Sequence, residues 1–528
     1  MVLSDFTDFL TSGLYRIMKN TIFIALVLLI GPQVISQVPE DAIRMSWNVP
    51  QGTARNQAIG GAMGSLGGEI TATFVNPAGL GFYKVSDFVV SPGLTIAKSK
   101  GDYRDLSANS NAFSRFNINT TGFVIATNDR ESKWTSKAFS IAISRTADFN
   151  GSVYYKGNND YSSYSEQFSE ELSKSGVPIA AVGSSPNLSL GTKMAVYTYL
   201  IDTATIGGQL QVVGRPEYLA SVLQENQITT KGGITELAIG FASNMEDKVY
   251  IGGSIGVPIV SYERRSVLTE SDPTGNANNN FAFSRYEEKY ISRGAGVNAK
   301  LGVIFKPVQE MRMGVAIHTP TIYGLKDQYT SKMVTNTENL FPNDPVDSVT
   351  SDYYLGNQPA LYKYDLVTPW KFLVSGSYVF HEVEDVTRQR GFITADAEYV
   401  TYRSSRFSAA EQEDDDTYYK TVNSAVKSLY KSTFNFRVGG EMKFNTIMGR
   451  LGFAYYGNPY KDAALKAHKM NVSGGIGYRN KGVFIDLTYV QSLNKDVNFP
   501  YRLSDKANTF ADVKGRNANI YLTVGFKM

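Results

Sequence analysis

The chain has 528 residues, with 52 Lys and Arg against 49 Asp and Glu, a formal charge of only +3. So small a basic excess gives no reason to seek a nucleic-acid partner, and the lack of cysteine removes disulfides, thiol catalysis and thiolate metal sites together. A chain this long is either several soluble domains or one very large barrel, and its 33 Tyr and 47 Gly suit strands and tight turns better than helices.

In chain order, Lys19 and Asn20 precede an apolar run from Thr21 to Ile30, which Gly31-Pro32 ends. Val34-Ile35-Ser36 then offers small or medium residues before Gln37. A charged start, a short apolar run and a small-residue cleavage site predict a secretory signal peptide over 1–36. Residues 1–17 read as an upstream extension, with Met18 as an alternative start. The other reading is a membrane-anchoring helix, for which the run is too short.

The stretch Ala58 to Phe82 is glycine-rich, with Gly60, Gly61, Gly64, Gly67 and Gly68 close together. It tightens into Asn76-Pro77-Ala78-Gly79-Leu80. Proline fixes its own backbone and pushes the residue before it out of the helical region, while Asn76 can hold a turn through its side chain. The segment is too rich in glycine for a long helix and too apolar for a free linker. It predicts an irregular plug over 37–86 that needs a container.

The container is expected over 87–528. Asp87 to Ser99, Phe116 to Thr127 and Lys137 to Asp148 alternate with period two, the pattern of strands with one lipid-facing side. An insert from Phe149 to Gly233 follows, weakly helical over Gln167 to Lys174 and Thr192 to Ile201, with a further helix expected over Pro216 to Gln227. Ile234 to Ser243 and Val249 to Ile259 resume the strands. Ser261 to Glu287 reads as a solvated loop by its Asn, Asp, Gly and Pro content. The pairs Tyr290 to Phe305 with Met311 to Thr319, and Trp370 to Phe380 with Gly391 to Tyr402, flank an insert from Pro320 to Val367. A fourth insert, Arg403 to Lys431, precedes Thr433 to Lys443, Gly449 to Gly457, His468 to Arg479, Val483 to Gln491 and Asn517 to Phe526. The sum is roughly fourteen strands of membrane-spanning length, an antiparallel transmembrane β-barrel. Short links (Asn128 to Lys133, Asn244 to Lys248, Lys306 to Glu310, Glu382 to Arg390, Asn445-Thr446, Asn480-Lys481) alternate with long ones, as periplasmic turns alternate with outer loops. The rival architecture, a soluble sandwich or propeller, lacks that asymmetry and requires a blade-length repeat that is absent.

On the residues Asn76-Pro77-Ala78-Gly79-Leu80, together with Ile317 to Gly324, Gly391 to Tyr402 and Tyr455 to Tyr460, the chain resembles the FadL/TodX (OMPP1) family of outer-membrane transporters, and more closely its Bacteroidetes members. The resemblance implies a fourteen-stranded barrel with an N-terminal lumenal hatch. It implies passive uptake of long-chain fatty acids or aromatic hydrocarbons, with sideways release into the membrane, where an apolar ligand avoids water. Outer-membrane lipid and a hydrophobic small molecule are then the expected partners, with no cofactor and no nucleic acid. Some members of that branch serve outer-membrane secretion or assembly complexes, so a non-transporting barrel subunit with protein partners is the alternative.

As a candidate site, Asn76, Pro77, Ala78, Gly79 and Leu80 read as a gate, or as a static plug that only fills the lumen. Tyr154-Tyr155, Phe281-Ala282-Phe283 and Tyr353-Tyr354 are aromatic enough for ligand contact, but an interfacial girdle accounts for such residues equally, so no ligand residue is assigned. Glu411 to Asp416 lacks the alternation of a calcium loop and reads as a solvated charge run. His318, His381 and His468 lack ligand spacing, and no metal site is expected. Gly252-Gly253-Ser254-Ile255-Gly256 matches a hydrolase nucleophile motif but lies inside a strand pattern without the strand-turn-helix context. No enzyme activity is expected.

Overall fold

The computed structural model describes residues 39–528 except 130, 342, 382–389 and 412–415. The signal peptide, the Glu382 to Arg390 turn except Arg390, and most of the Glu411 to Asp416 run therefore lie outside the described residues. Every wall strand pairs antiparallel with its sequence neighbour, and the first pairs with the last, through Phe88 with Phe526 and Leu94 with Ile520. The result is a closed barrel of 14 strands. They are β1 (Asp87–Val90 and Pro92–Tyr103), β2 (Phe113–Ile118 and Thr121–Asn128), β3 (Trp134–Asp148 and Gly151–Asn159), β4 (Val222–Met245), β5 (Val249–Ser271), β6 (Phe283–Phe305) and β7 (Met311–His318 and Ile322–Asn336). There follow β8 (Ala360–Val367 and Lys371–Phe380), β9 (Gly391–Val400 and Arg406–Ala409), β10 (Thr433–Phe444), β11 (Ile447–Tyr456), β12 (His468–Asn480), β13 (Val483–Asn498) and β14 (Ala511–Lys527).

Period two governs the wall. On β5, Ile251, Ile255, Val257 and Ile259 are exposed, while Tyr250, Gly252, Ser254, Gly256, Pro258 and Val260, alternating with them, are buried. An exposed apolar face on one side and a buried small or polar face on the other is the signature of a wall with lipid outside and a filled lumen inside. No described helix is long and apolar enough to cross a membrane.

Two expectations fail in the inserts. Pro216 to Gln227 is not a helix: a short 3-10 turn, Arg215–Tyr218, gives way to β4 at Val222. Pairing to β3 on one side and β5 on the other overrides a weak local preference. Likewise Ser261 to Glu287 is mostly strand, because β5 runs on to Ser271 and β6 starts at Phe283. Beyond the membrane the outward face turns from apolar to charged, so the hydrophobic alternation disappears while the backbone ladder continues. The two helices expected in the first long insert are present as α4 (Glu166–Ser175) and α5 (Leu190–Tyr197).

The lumen is layered. Helix α1 (Pro39–Arg44) sits in the outer half, packed on α6 (Asp416–Leu429) in a cluster with Tyr364, Tyr402, Phe407 and Tyr430. The Arg44 guanidinium pairs with Asp41 and lies 4.5 Å from the Tyr262 ring centre. The chain then descends through α2 (Ala54–Ala58), α3 (Ala72–Val75) and a 3-10 turn, Pro77–Phe82, before entering the wall at Asp87.

Candidate functional site: the lumenal chamber and its floor

Asn76 is fully buried and extended, at φ −141°. Its Oδ1 accepts from the Ala78 amide at 3.2 Å, which caps the turn that Pro77 opens. Its Nδ2 donates to the Gly64 carbonyl at 2.6 Å and reaches the Val315 carbonyl of β7 at 3.4 Å. One side chain thus ties two parts of the lumenal segment to the wall. Pro77 and Ala78 lie on Gly252, where a Cβ would meet the Pro77 carbonyl carbon at 2.5 Å. Gly79 faces the Leu66 carbonyl, which a Cβ would meet at 2.8 Å. Leu80 is fully buried among Ile70, Phe74, Val124, Ala142 and Ala238.

The wall beneath is shaped to this segment. Inward-facing Gly240, Gly252, Gly302, Gly314, Gly439 and Gly452 each approach its atoms so closely that a Cβ would collide. The match to a hydrolase motif belongs to this seat: Gly252 contacts Pro77, and Ser254 Oγ donates to the Thr73 carbonyl at 2.8 Å. Hydroxyls and a carboxylate finish the attachment. Asp396 on β9 accepts from the Met63 amide at 3.1 Å and the Gly64 amide at 3.2 Å, and from Ser375 at 2.6 Å. Ala54 donates to Thr523 at 2.7 Å and accepts from Thr488 at 2.7 Å. Burial pushes the Glu69 carboxyl above its ordinary value, against hydrogen bonds from Thr71 and Thr53 that pull it down.

Above this floor lies a chamber of about 120 Å³. Its lining mixes Met45, Pro50, Phe74, Val75, Ile234 and Pro369 with Asn298, Lys300, His318, Lys371, Glu398 and Arg437. Lys300 pairs with Glu236, and Arg437 Nη2 lies 3.1 Å from Glu398. The Lys371 ammonium makes no ion pair or side-chain hydrogen bond among the described residues, although Glu398 lies within its electrostatic reach. His318 Nε2 lies 2.7 Å from the Val75 carbonyl. No group of three His, Cys, Asp or Glu among the described residues could hold a metal.

None of the aromatic pairs flagged in the sequence lines the chamber. Tyr155 is buried in the outer half with its hydroxyl 2.7 Å from Asn498, Phe281 is buried under the outer loops, and Tyr353 is exposed. His468 stacks on Tyr455, and Glu411 accepts from Lys363 at 3.1 Å. The chamber residues themselves carry no local signal. Lys371 or Asn298 in isolation is one polar residue on a strand.

The wall beside the chamber is interrupted. Strands β2 and β3 pair from Asn128 with Ser136 up to Thr121 with Ile143, and no further. Above that point the outer half of β2 pairs with β1 and the outer half of β3 with β4. Among the described residues the two outer halves do not pair with each other. β3 bends inward and passes behind β1, where Ser99 donates to the Ser152 carbonyl at 2.6 Å and Gly101 faces Tyr155. Phe116 and Ile118 on the stranded edge of β2 are 65% and 60% exposed. At the foot of the break Thr120 and Ser144 hydroxyls meet at 2.8 Å, and Ser144 lines the chamber. The outer end of β9 also lacks a β10 partner, but Asn423 of α6 takes both backbone groups of Phe407 at 2.8 Å.

A closed 14-stranded barrel with a chain segment seated in its lumen is the fold of FadL-type outer-membrane transport proteins. The chain is similar to a FadL homologue from Pseudomonas aeruginosa, with a TM-score of 0.53 at 13% identity over 91% of this chain and 99% of that one. It is also similar to the toluene transporter TodX of P. putida, with a TM-score of 0.50 at 12% identity over 90% of this chain and 99% of that one. No protein-family model and no curated protein sequence matches it.

Proposed function

We propose that this protein is an outer-membrane channel that admits small, largely apolar molecules passively and releases them sideways into the membrane. The observation that carries the reading is the β2–β3 break, which stands directly beside the chamber and presents Phe116 and Ile118 outside it. An apolar solute leaving there enters lipid without crossing periplasmic water. The mixed lining favours a solute with an apolar body and an acidic head, such as a long-chain fatty acid, over a bare hydrocarbon. Phe74, Val75 and Ile234 suit the body and Lys371 the head. The chamber of about 120 Å³ is smaller than the usual ligand site of roughly 300–1,000 Å³. Passage therefore requires the hatch, 37–86, to shift, with Asn76, Pro77, Ala78, Gly79 and Leu80 as the moving stop.

The chain has no cysteine, so a single engineered disulfide tests the route cleanly. The double variant T120C/S144C, oxidised, should block uptake of a labelled long-chain fatty acid into cells, and reduction should restore it. Uptake that ignores the crosslink would refute lateral release. A second reading, a docking subunit of an outer-membrane complex, is favoured by how fully side chains and the N-terminal segment fill the lumen. Purification in mild detergent separates the two: a lone barrel with lumenal lipid supports transport, and stoichiometric partner proteins support docking.

A further inference from the structure

Outward-facing residues on neighbouring strands normally alternate in sign where charges meet. On this barrel Lys231 faces Glu263, and Glu287 faces Lys332. Arg265 opposite Lys289, and Lys100 opposite Lys514 opposite Lys495, break the rule, but there Glu287 and Asp102 lie beside the cations. A third row lacks such a carboxylate at its first two members. Arg293 on β6 lies directly opposite Lys326 on β7, which lies directly opposite Lys363 on β8. All three are exposed. Directly opposed residues hold their Cβ atoms about 4.5–5.5 Å apart, and like charges so placed weaken a sheet. The side chains of Arg293 and Lys326 have no ion pair or hydrogen bond among the described residues. Among the described residues Lys363 reaches only Glu411, at 3.1 Å, a pair exposed on both sides (62% and 67%) and therefore weak. Asp365, two residues nearer the membrane, faces Gly324 and not a cation.

The position of the row says what would repay the repulsion. Below Arg293 the outward face of β6 reads Ala295, Val297, Ala299, Leu301, Val303 and Phe305. Those eleven residues of tilted strand, Ala295 to Phe305, cover about 25 Å, the height of the lipid-facing band. Arg293 is the first charge above it, where the headgroups of the outer leaflet begin. The same arrangement recurs across the closing seam. Lys98 on β1 faces Arg516 on β14, directly above Ile96 and Ala518, and neither has a partner among the described residues. One step further out Lys100 and Lys514 share Asp102, at 3.1 and 2.7 Å.

We infer that Arg293, Lys326 and Lys363 form a binding site for the phosphate groups of an outer-leaflet glycolipid. Arginine forks and lysine ammonium groups take phosphate oxygens at short, charge-assisted distances, and one phosphate between two opposed cations turns their repulsion into shared attraction. The inference rests on the outer-membrane reading but not on transport, since it concerns the lipid-facing wall and not the lumen.

The test uses the full chain purified in neutral detergent. The probes are lipopolysaccharide, the same lipopolysaccharide dephosphorylated, and inorganic phosphate. The variant R293Q/K326Q/K363Q should bind lipopolysaccharide roughly 100-fold more weakly than the unaltered chain. Without lipid, it should unfold at a higher temperature, because the like charges are gone. R293K/K326R keeps the charge and should keep most of the affinity. K420Q/K427Q, on exposed α6 lysines, should change neither reading. All variants are first checked for the heat-modifiable mobility of a folded barrel. Equal affinity of the triple variant would overturn the inference. So would equal binding of the dephosphorylated glycolipid, or equal stabilisation by inorganic phosphate at the same phosphate concentration. Because binding is read on purified protein, a negative uptake experiment leaves this result intact.

Discussion

The lower and outer halves of this barrel use the same strands and the same alternation to opposite ends. In the lower half the inward positions are glycine, serine, threonine and a few tightly paired charges, because a second layer of backbone lies against them: Gly452 against Ile59 and Gly60, Thr488 against Ala54. In the outer half the inward positions are tyrosines, such as Tyr103, Tyr155, Tyr290 and Tyr364, which fill the mouth themselves; the first three place their hydroxyls on Gln224, Asn498 and Asp327. The lesson is that inward side-chain size reports what the lumen holds at each level. Small residues mark a lumen occupied by chain, and large ones mark a lumen the wall must fill.

Substitutions can break that contrast. The largest effect is expected in the lower half at Arg450, fully buried between Glu441 at 2.5 Å and Asp486 at 2.6 Å. Arg450→Met takes the nearest cation from two buried carboxylates, leaving Glu441 with Arg55 at 3.3 Å and Asp486 with Arg479 at 3.9 Å, and should cost about 3–5 kcal/mol, read as a lower urea midpoint of the detergent-folded barrel. Next is Gly452→Val, whose Cβ would strike the Gly60 amide and the Ile59 backbone. Backbone cannot rotate away as a side chain can, so a loss of about 1–3 kcal/mol is expected, together with protease cleavage of the expelled lumenal segment. Gly376→Val on β8 is the control, with no atom within 4 Å of the new Cβ, and should leave both readings within about 0.5 kcal/mol of the unaltered chain. Below Gly452→Val but above the control comes Tyr290→Phe in the outer half, which removes a 2.6 Å hydrogen bond to Asp327 and keeps the ring under Arg44. A loss of about 1–2 kcal/mol, with no change in protease sensitivity of the lumenal segment, would sharpen the distinction between the two halves. Equal protease sensitivity in Gly452→Val and Tyr290→Phe would erase it.

Much of the architecture was legible in local order along the chain. Alternation such as Phe139, Ile141 and Ile143 against Ser140, Ala142 and Ser144 announces a strand with one lipid-facing side, and each short turn from Asn445-Thr446 to Asn480-Lys481 falls at the same end of the barrel. These features depend on residues a few positions apart. The outer continuations of β4 to β8 were missed because their outward faces are charged: strand geometry persists there, but the hydrophobic signal does not. The start of β4, from Val222, lacks the strand signal for the same reason.

What the chain alone determined is which face of each strand meets lipid, how many strands there are, and where they turn, since period two is a property of neighbouring residues. Which atoms meet across the lumen was decided only by closure of the ring. Asn76 finds Val315, Asp396 finds Gly64 and Arg293 stands opposite Lys326 because strand register brings distant positions together. The chamber, the break between β2 and β3 and the cationic row are sums of such pairings, and no single stretch of sequence contains any of them.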